Sequence, residues 1–267
     1  MIHKAAFAGS FYPGEAPELR RQVASAIPPQ RSKHKALGVM LPHAGYRYCG
    51  HIIGKTLAGL QLPRRFILLC PNHTGRGAPL SIQSLGRWQT PLGEVEIDRP
   101  LARAIKRHCL NVQDSPEALR REHSVEVQLP FLQYFLDEFT FVPVAVGTSR
   151  LQSLLLLGRG LAAVLEEAEE PVMLIATSDM NHFEPAEVGR QKDQAALRLI
   201  CEMDCQGLYR EVRERPISMC GYGPMIAIME ACRLLEARRA EVVDYAQSSD
   251  VTGEFSSVVG YAGVVIR

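Results

Sequence analysis

Four short runs of almost unbroken apolar residues, 37–41, 66–70, 141–146 and 172–176, restrict this chain more than any other feature. A strand with one face in water alternates apolar and polar residues. A run without polar interruption suits a strand covered on both faces. Two later runs, 241–245 and 258–266, also read as strands, and Gly260 and Gly263 mark close packing or a bulge in the second.

Helical patterns lie between these runs. Leu154, Leu157, Leu161 and Leu165 keep one face apolar, and Met225, Ile228, Met229 and Cys232 do so behind Pro224, which suits a helix start. A third, more polar helix is predicted over 186–203. A fourth covers 117–135, with Pro130 predicting a kink or break. Residues 80–98 contain two alternating stretches and read as a hairpin-like excursion on the sheet edge. Strands alternating with helices predict an α/β fold with a largely parallel or mixed central sheet covered by helices. With no linker, repeat or low-complexity segment, residues 1–267 read as one domain.

Composition enters mainly through what it excludes. The net charge is +1 and basic residues occur only as scattered pairs, so the footprint needed for nucleic acid is missing. No apolar run approaches the roughly 20 residues that span a bilayer. Residues 1–13 lack a signal-peptide h-region, and a cytoplasmic location is expected. Seven cysteines do not suggest a disulfide framework. Cys49 and Cys70 read as small core residues, and Cys201 and Cys205 as thiols rather than a metal clip. No GxGxxG or Walker loop supports nucleotide binding.

The chemistry is concentrated after the apolar runs. The first leads into Pro42-His43-Ala44-Gly45-Tyr46, the second into Pro71-Asn72-His73, and the fourth into Thr177-Ser178-Asp179-Met180-Asn181-His182. A lone histidine after a strand is more often a hydrogen-bonded turn residue than a ligand. Recurrence at three strand ends favours one shared site, because ligands of open α/β sheets bind beyond the carboxyl ends of the strands. Cys220 precedes a predicted helix, where the dipole favours a thiolate. That leaves it a nucleophile, a soft metal ligand or an idle turn residue. His123, near the start of the kinked helix, is either a packed histidine or a proton donor to something in the crevice.

Taken together, these residues resemble the Memo family, whose bacterial and archaeal members are called AmmeMemoRadiSam system protein B. The matching segments are Ala8-Gly9-Ser10-Phe11-Tyr12-Pro13, Pro42-His43-Ala44-Gly45-Tyr46-Arg47-Tyr48-Cys49-Gly50, Pro71-Asn72-His73, Glu122-His123-Ser124-Val125-Glu126, Leu129-Pro130-Phe131, Ser178-Asp179, His182, Cys220-Gly221 and Tyr245-Ala246-Gln247-Ser248-Ser249. They run in order along the whole chain. The resemblance implies a fold like that of class III extradiol dioxygenases and a metal held by two histidines and a cysteine, here His43, His73 and Cys220. It places Asp179, His182 and His123 around that metal as pocket residues.

The dioxygenases hold Fe(II) with two histidines and a carboxylate, so a thiolate departs from their pattern. The softer set suits iron or copper, and also zinc. Three functions are consistent with it: an iron- or copper-dependent oxidoreductase, a zinc-dependent hydrolase, and a non-catalytic scaffold. The expected ligand is a small molecule or a peptide in the metal pocket. The family name implies a functional link to a radical SAM protein.

Overall fold

The computed structural model describes residues 2–29 and 32–267; Met1, Gln30 and Arg31 lie outside the described residues. The chain runs β1 (Ile2–His3), α1 (Ala16–Ser25), β2 (Gly38–Leu41), α2 (Tyr46–Ala58), β3 (Arg65–Pro71), β4 (Leu80–Ile82), β5 (Arg87–Thr90), β6 (Gly93–Ile97), α3 (Arg99–His108) and β7 (Gln113–Asp114). After a 3-10 turn at Pro116–Ala118 come α4 (His123–Glu126), α5 (Leu129–Phe135), β8 (Thr140–Val146), α6 (Leu151–Glu167), β9 (Val172–Thr177) and β10 (Asp179–Glu184). The remainder is α7 (Ala186–Cys201), α8 (Cys205–Glu214), α9 (Tyr222–Leu234), β11 (Ala240–Gln247), α10 (Ser249–Thr252) and β12 (Val258–Ile266).

The four apolar runs form the parallel heart of one sheet, in the order β8-β3-β9-β2. Successive residues of each strand face opposite cores. Met40, Ile67, Leu69, Leu174 and Ala176 pack on one face with α3, α6, α8 and α9. Val39, Leu41, Phe66, Leu68, Met173 and Ile175 pack on the other with α1, α2 and α5. Two buried faces remove the polar half of the alternation, which accounts for the unbroken runs. Each Leu, Ile or Phe buried this way contributes about 1.5–3 kcal/mol.

The flanks make the sheet mixed. β12 pairs antiparallel with β2 through residues 264–266 and with β10 through residues 258–261, while β11 runs along its other side. At the opposite end, β5 and β6 form a hairpin around Pro91 and Leu92, with β6 against β8 and β5 against β1. The excursion predicted over 80–98 thus lies at the sheet edge, although its first part, β4, pairs antiparallel with β8 instead of joining the hairpin.

Two local expectations are corrected. The predicted helix over 117–135 is three pieces, the 3-10 turn, α4 and α5. Glu122 leaves helical geometry to cap α4, and Pro130 lacks the N–H that would carry α4 into α5. Residues 179–182, which the sequence placed beyond a strand end, follow β9 after the single residue Ser178 and form β10. No helix among the described residues is long and apolar enough to cross a membrane. There is no disulfide among them, and Cys49 and Cys70 are fully buried. Cys201 ends α7 and Cys205 begins α8, so they share no helical face.

Candidate metal centre

Because β2, β3 and β9 run parallel and Leu41 pairs with Thr177, their carboxyl ends lie side by side. His43, His73 and Asp179 therefore arrive at one edge of the sheet. His123, on α4, completes a cluster there: His43, His73 and His123 each offer a ring nitrogen, and these atoms lie within 4.8 Å of one another. The His73 and His123 rings stack at 4.8 Å with 21° between their planes, and His43 stands edge-on to both at 5.2 Å. Cys220 is not a member of this triad, but its Sγ is 3.2 Å from His43 Nε2.

The carboxylate of Glu122 organises His73. Its Oε1 is 2.8 Å from His73 Nδ1, and its Oε2 accepts the His73 backbone N–H at 2.8 Å. Ser124 donates to the same carboxylate from both its N–H and its hydroxyl. An ionised carboxylate can only accept, so Nδ1 of His73 carries the proton and Nε2 keeps its lone pair. Orientation of a ligand histidine by a carboxylate is a recurrent feature of metal sites. Burial raises the cost of the Glu122 charge, but His73 and Ser124 more than offset it and hold its pKa down at about 2. Burial likewise pulls His73 down, and the hydrogen bond and charge of Glu122 outweigh it, so the net shift is upward. Glu122→Gln is expected to lower metal affinity about 10–100-fold, as for other outer partners of ligand histidines. Competition with a fluorescent chelator would measure this; unchanged affinity would show that His73 is not a ligand.

The other two imidazoles are neutral. Burial, then the nearby His73, lowers His43 to about 3, and burial, then His43, lowers His123 to about 4. His43 is 1% exposed and its Nδ1 has no hydrogen-bond partner. Neutral rings with free lone pairs fit a metal ion. The Cys220–His43 separation fits as well, since a nitrogen and a sulfur on one tetrahedral zinc would be roughly 3.6 Å apart. Cys220 departs from one expectation: burial first, then the Asp179 charge, push its thiol well up, overriding the helix dipole. It is a thiol until a cation favours the thiolate.

Asp179 ties the strand ends together. Its Oδ1 accepts the His43 N–H at 2.8 Å, and its own N–H donates to Cys220 Sγ at 3.3 Å. Burial raises its pKa, opposed by the hydrogen bond from His43 and by the charges of His182 and His123. His182 stands apart from the triad, held by Ser218, whose carbonyl is 2.9 Å from Nδ1. Gly221 allows the Cys220 loop to press against the end of β9, where a Cβ would overlap the Thr177 carbonyl.

The N-terminal segment walls one side. Glu126, buried, accepts the N–H groups of Ala6 and Phe7 at 2.9 Å each and the Tyr12 hydroxyl at 2.6 Å. This clamp sets Phe7 and Phe11 against His123, with ring centres 5.5 and 4.7 Å away. The Tyr46 N–H donates to the Phe11 carbonyl and its hydroxyl to the Val127 carbonyl, locking α2 to both. Sequence reading quoted Glu122 and Glu126 within a motif but gave them no roles. Ser124 apart, their partners lie 49 to 120 residues away, and only the acid directly before His123 hinted at a cap.

Fold and site together define an α/β protein with a candidate metal centre at the carboxyl edge of its sheet. A family model described as Memo-like protein matches residues 3–265. A MEMO1 family protein of Methanopyrus kandleri is 38% identical, with 100% of this chain and 99% of that protein covered. Another from Methanothermobacter thermautotrophicus is 37% identical, over 98% of this chain and 99% of that protein. Among solved structures, the uncharacterised protein JW3007 of Escherichia coli K12 has a TM-score of 0.58 at 12% identity, covering 86% of this chain and 100% of that one, and shares the fold. The chain belongs to the Memo family.

Proposed function

We propose that this protein is a metal-dependent enzyme, an oxidoreductase using one iron or copper ion held by His43, His73 and Cys220. The observation that carries the reading is the meeting of three neutral or orientable imidazoles with a thiol beside His43, where His73 keeps 34% of its side chain exposed. Closed structural sites are sealed by four protein ligands, whereas catalytic ones keep a position open. When bound, iron or copper would supply one-electron chemistry and a place for a co-reactant.

The chain's own residues support such a role. Glu122 fixes the His73 ring, and Asp179 fixes the His43 backbone through its N–H. Phe7 and Phe11 shield the His123 side from water. Asp179 and His182 are the groups to take or give a proton, Asp179 because burial favours its protonated form. The ligand expected at the metal site is a small molecule or a peptide segment.

The histidine triad favours a second reading. Three imidazoles form a ligand set typical of catalytic zinc, with His123 replacing Cys220 and Asp179 as base in a hydrolase. Elemental analysis of protein purified anaerobically separates the two. Iron or copper near one equivalent, lost in His43→Ala, His73→Ala and Cys220→Ala, supports the first. Zinc lost in His123→Ala and kept in Cys220→Ala supports the second. Metal content unchanged in all four variants would remove the site.

A further inference from the structure

The Tyr245-Ala246-Gln247-Ser248-Ser249 segment touches none of the three histidines of the triad through any hydrogen bond, yet it takes part in a buried polar chain that ends at His182. The Tyr245 hydroxyl donates to Asp193 Oδ2 at 2.8 Å, and the other oxygen of this fully buried carboxylate accepts the Asn181 N–H at 2.7 Å. Gln247 fastens the helix carrying Asp193, donating to the Ala186 carbonyl at 2.9 Å and accepting from Arg190 at 3.1 Å. Gly260 on β12 leaves the space that the carboxylate fills, since a Cβ there would overlap Oδ2.

From Asn181 the chain continues to the loop that bears Cys220. Asn181 Oδ1 accepts both the N–H and the hydroxyl of Ser218 at 3.1 Å. Ser218 Oγ accepts the His182 N–H at 2.7 Å, and the Ser218 carbonyl lies 2.9 Å from His182 Nδ1. A carbonyl oxygen only accepts, so Nδ1 must carry the proton, and the neutral ring has Nε2 free as an acceptor.

The strand is bent to achieve this. Register shifts flank His182 on both sides, and Phe183 has φ +60°, a left-handed conformation that a bulky residue adopts under constraint. Bulges beside active sites commonly re-aim a side chain, and local strain of this kind clusters at functional positions.

We propose that Asp193, Asn181 and Ser218 are positioning residues that hold His182 as its Nδ1–H tautomer, keeping Nε2 available as a proton acceptor. The proposal rests on the enzymatic reading given above, because it assigns His182 its part in proton transfer.

Histidine-labelled, metal-free protein observed by long-range 1H–15N correlation reports ring tautomers directly, with His182→Gln identifying the His182 signals. Wild type should show a single tautomer protonated at Nδ1. Ser218→Ala and Asp193→Asn should turn it into a mixture, Ser218→Thr should restore it, and Asp193→Asn should leave metal content unchanged. Asp193→Asn keeps the side-chain shape, so it decides the matter should Ser218→Ala fail to fold. An Nε2–H tautomer or a mixture in wild type would overturn the proposal, as would an unaltered His182 signal in both variants. The tautomer is read without metal, so this failure is distinct from failure of the metal-content experiment.

Discussion

Taking the metal-free protein from pH 7 to pH 5 is expected to remove roughly 4–6 kcal/mol of its folding stability. Three histidines set the effect. Burial lowers His43 to about 3 and His123 to about 4; burial and then the Arg120 charge lower His3 to about 4. In the unfolded chain all three titrate near 6.5. Below that pH the unfolded state binds more protons than the folded one. The stability they confer is complete above 6.5 and is lost as pH falls toward their folded values.

Each contributes about 1.4 kcal/mol per pH unit within that window. Together they remove roughly 4–6 kcal/mol by pH 5, against a total of about 5–15 kcal/mol for a typical domain. His73 has the opposite sign: raised in the fold, it stabilises below 6.5 and ceases to as pH rises through its folded value, which softens the loss. Glu122, held at about 2, contributes above its unfolded value of 4.5 and is forfeited only in stronger acid. Urea titrations of chelator-treated protein at pH 7, 6 and 5 test this. A change below about 1 kcal/mol would mean the imidazoles are not neutral in the fold. Bound metal should move the His43 share of the loss to lower pH, since protons and metal compete for the same lone pair.

Gly221→Ala is expected to destabilise the fold by about 2–3 kcal/mol, the upper range for overpacking. Gly221 has φ −97°, so alanine suits its backbone and the conflict is purely steric. Its Cβ would overlap the Thr177 carbonyl and the Ser178 side chain. Thr177 pairs with Leu41 across the β2–β9 ladder and cannot retreat without opening it. The Cys220 loop must lift instead, taking Sγ away from His43. A Tm lower by roughly 5–10 °C is expected, together with faster reaction of Cys220 with a thiol reagent. Wild-type Tm and thiol reactivity together would refute the close approach.

These effects depend on contacts that sequence exposes unevenly. The parallel core was legible because double-sided burial leaves runs such as 66–70 without a polar residue. His43 and His73 could be placed at one edge from their strand-end positions alone. The separation of α4 from α5 was only half legible: Pro130 signalled a break, but the cap that stops α4 from starting earlier is Glu122, whose conformation answers to His73. The placement of α4 also sets His123 beside His43 and His73, where sequence placed it only around the pocket. α3 carried readable signals that went unused, an Asp98 side chain accepting the Leu101 N–H and Pro100 in the first turn. α2 was hidden by the glycine- and tyrosine-rich segment that begins it, which reads equally well as the rest of the His43 loop.

β12 occupies a place with a kinetic consequence. It fills the gap between β2, β10 and β11, yet β2 is made more than 200 residues before it. Until β12 inserts, β2 presents a bare hydrophobic edge able to pair with other chains. Contacts this far apart in sequence also close slowly. The nascent chain therefore passes through a stage in which its core strands are assembled but one side is adhesive. Under the proposed His43, His73 and Cys220 site, metal uptake would also wait on a contact spanning 177 residues. Following metal uptake during refolding would time that contact.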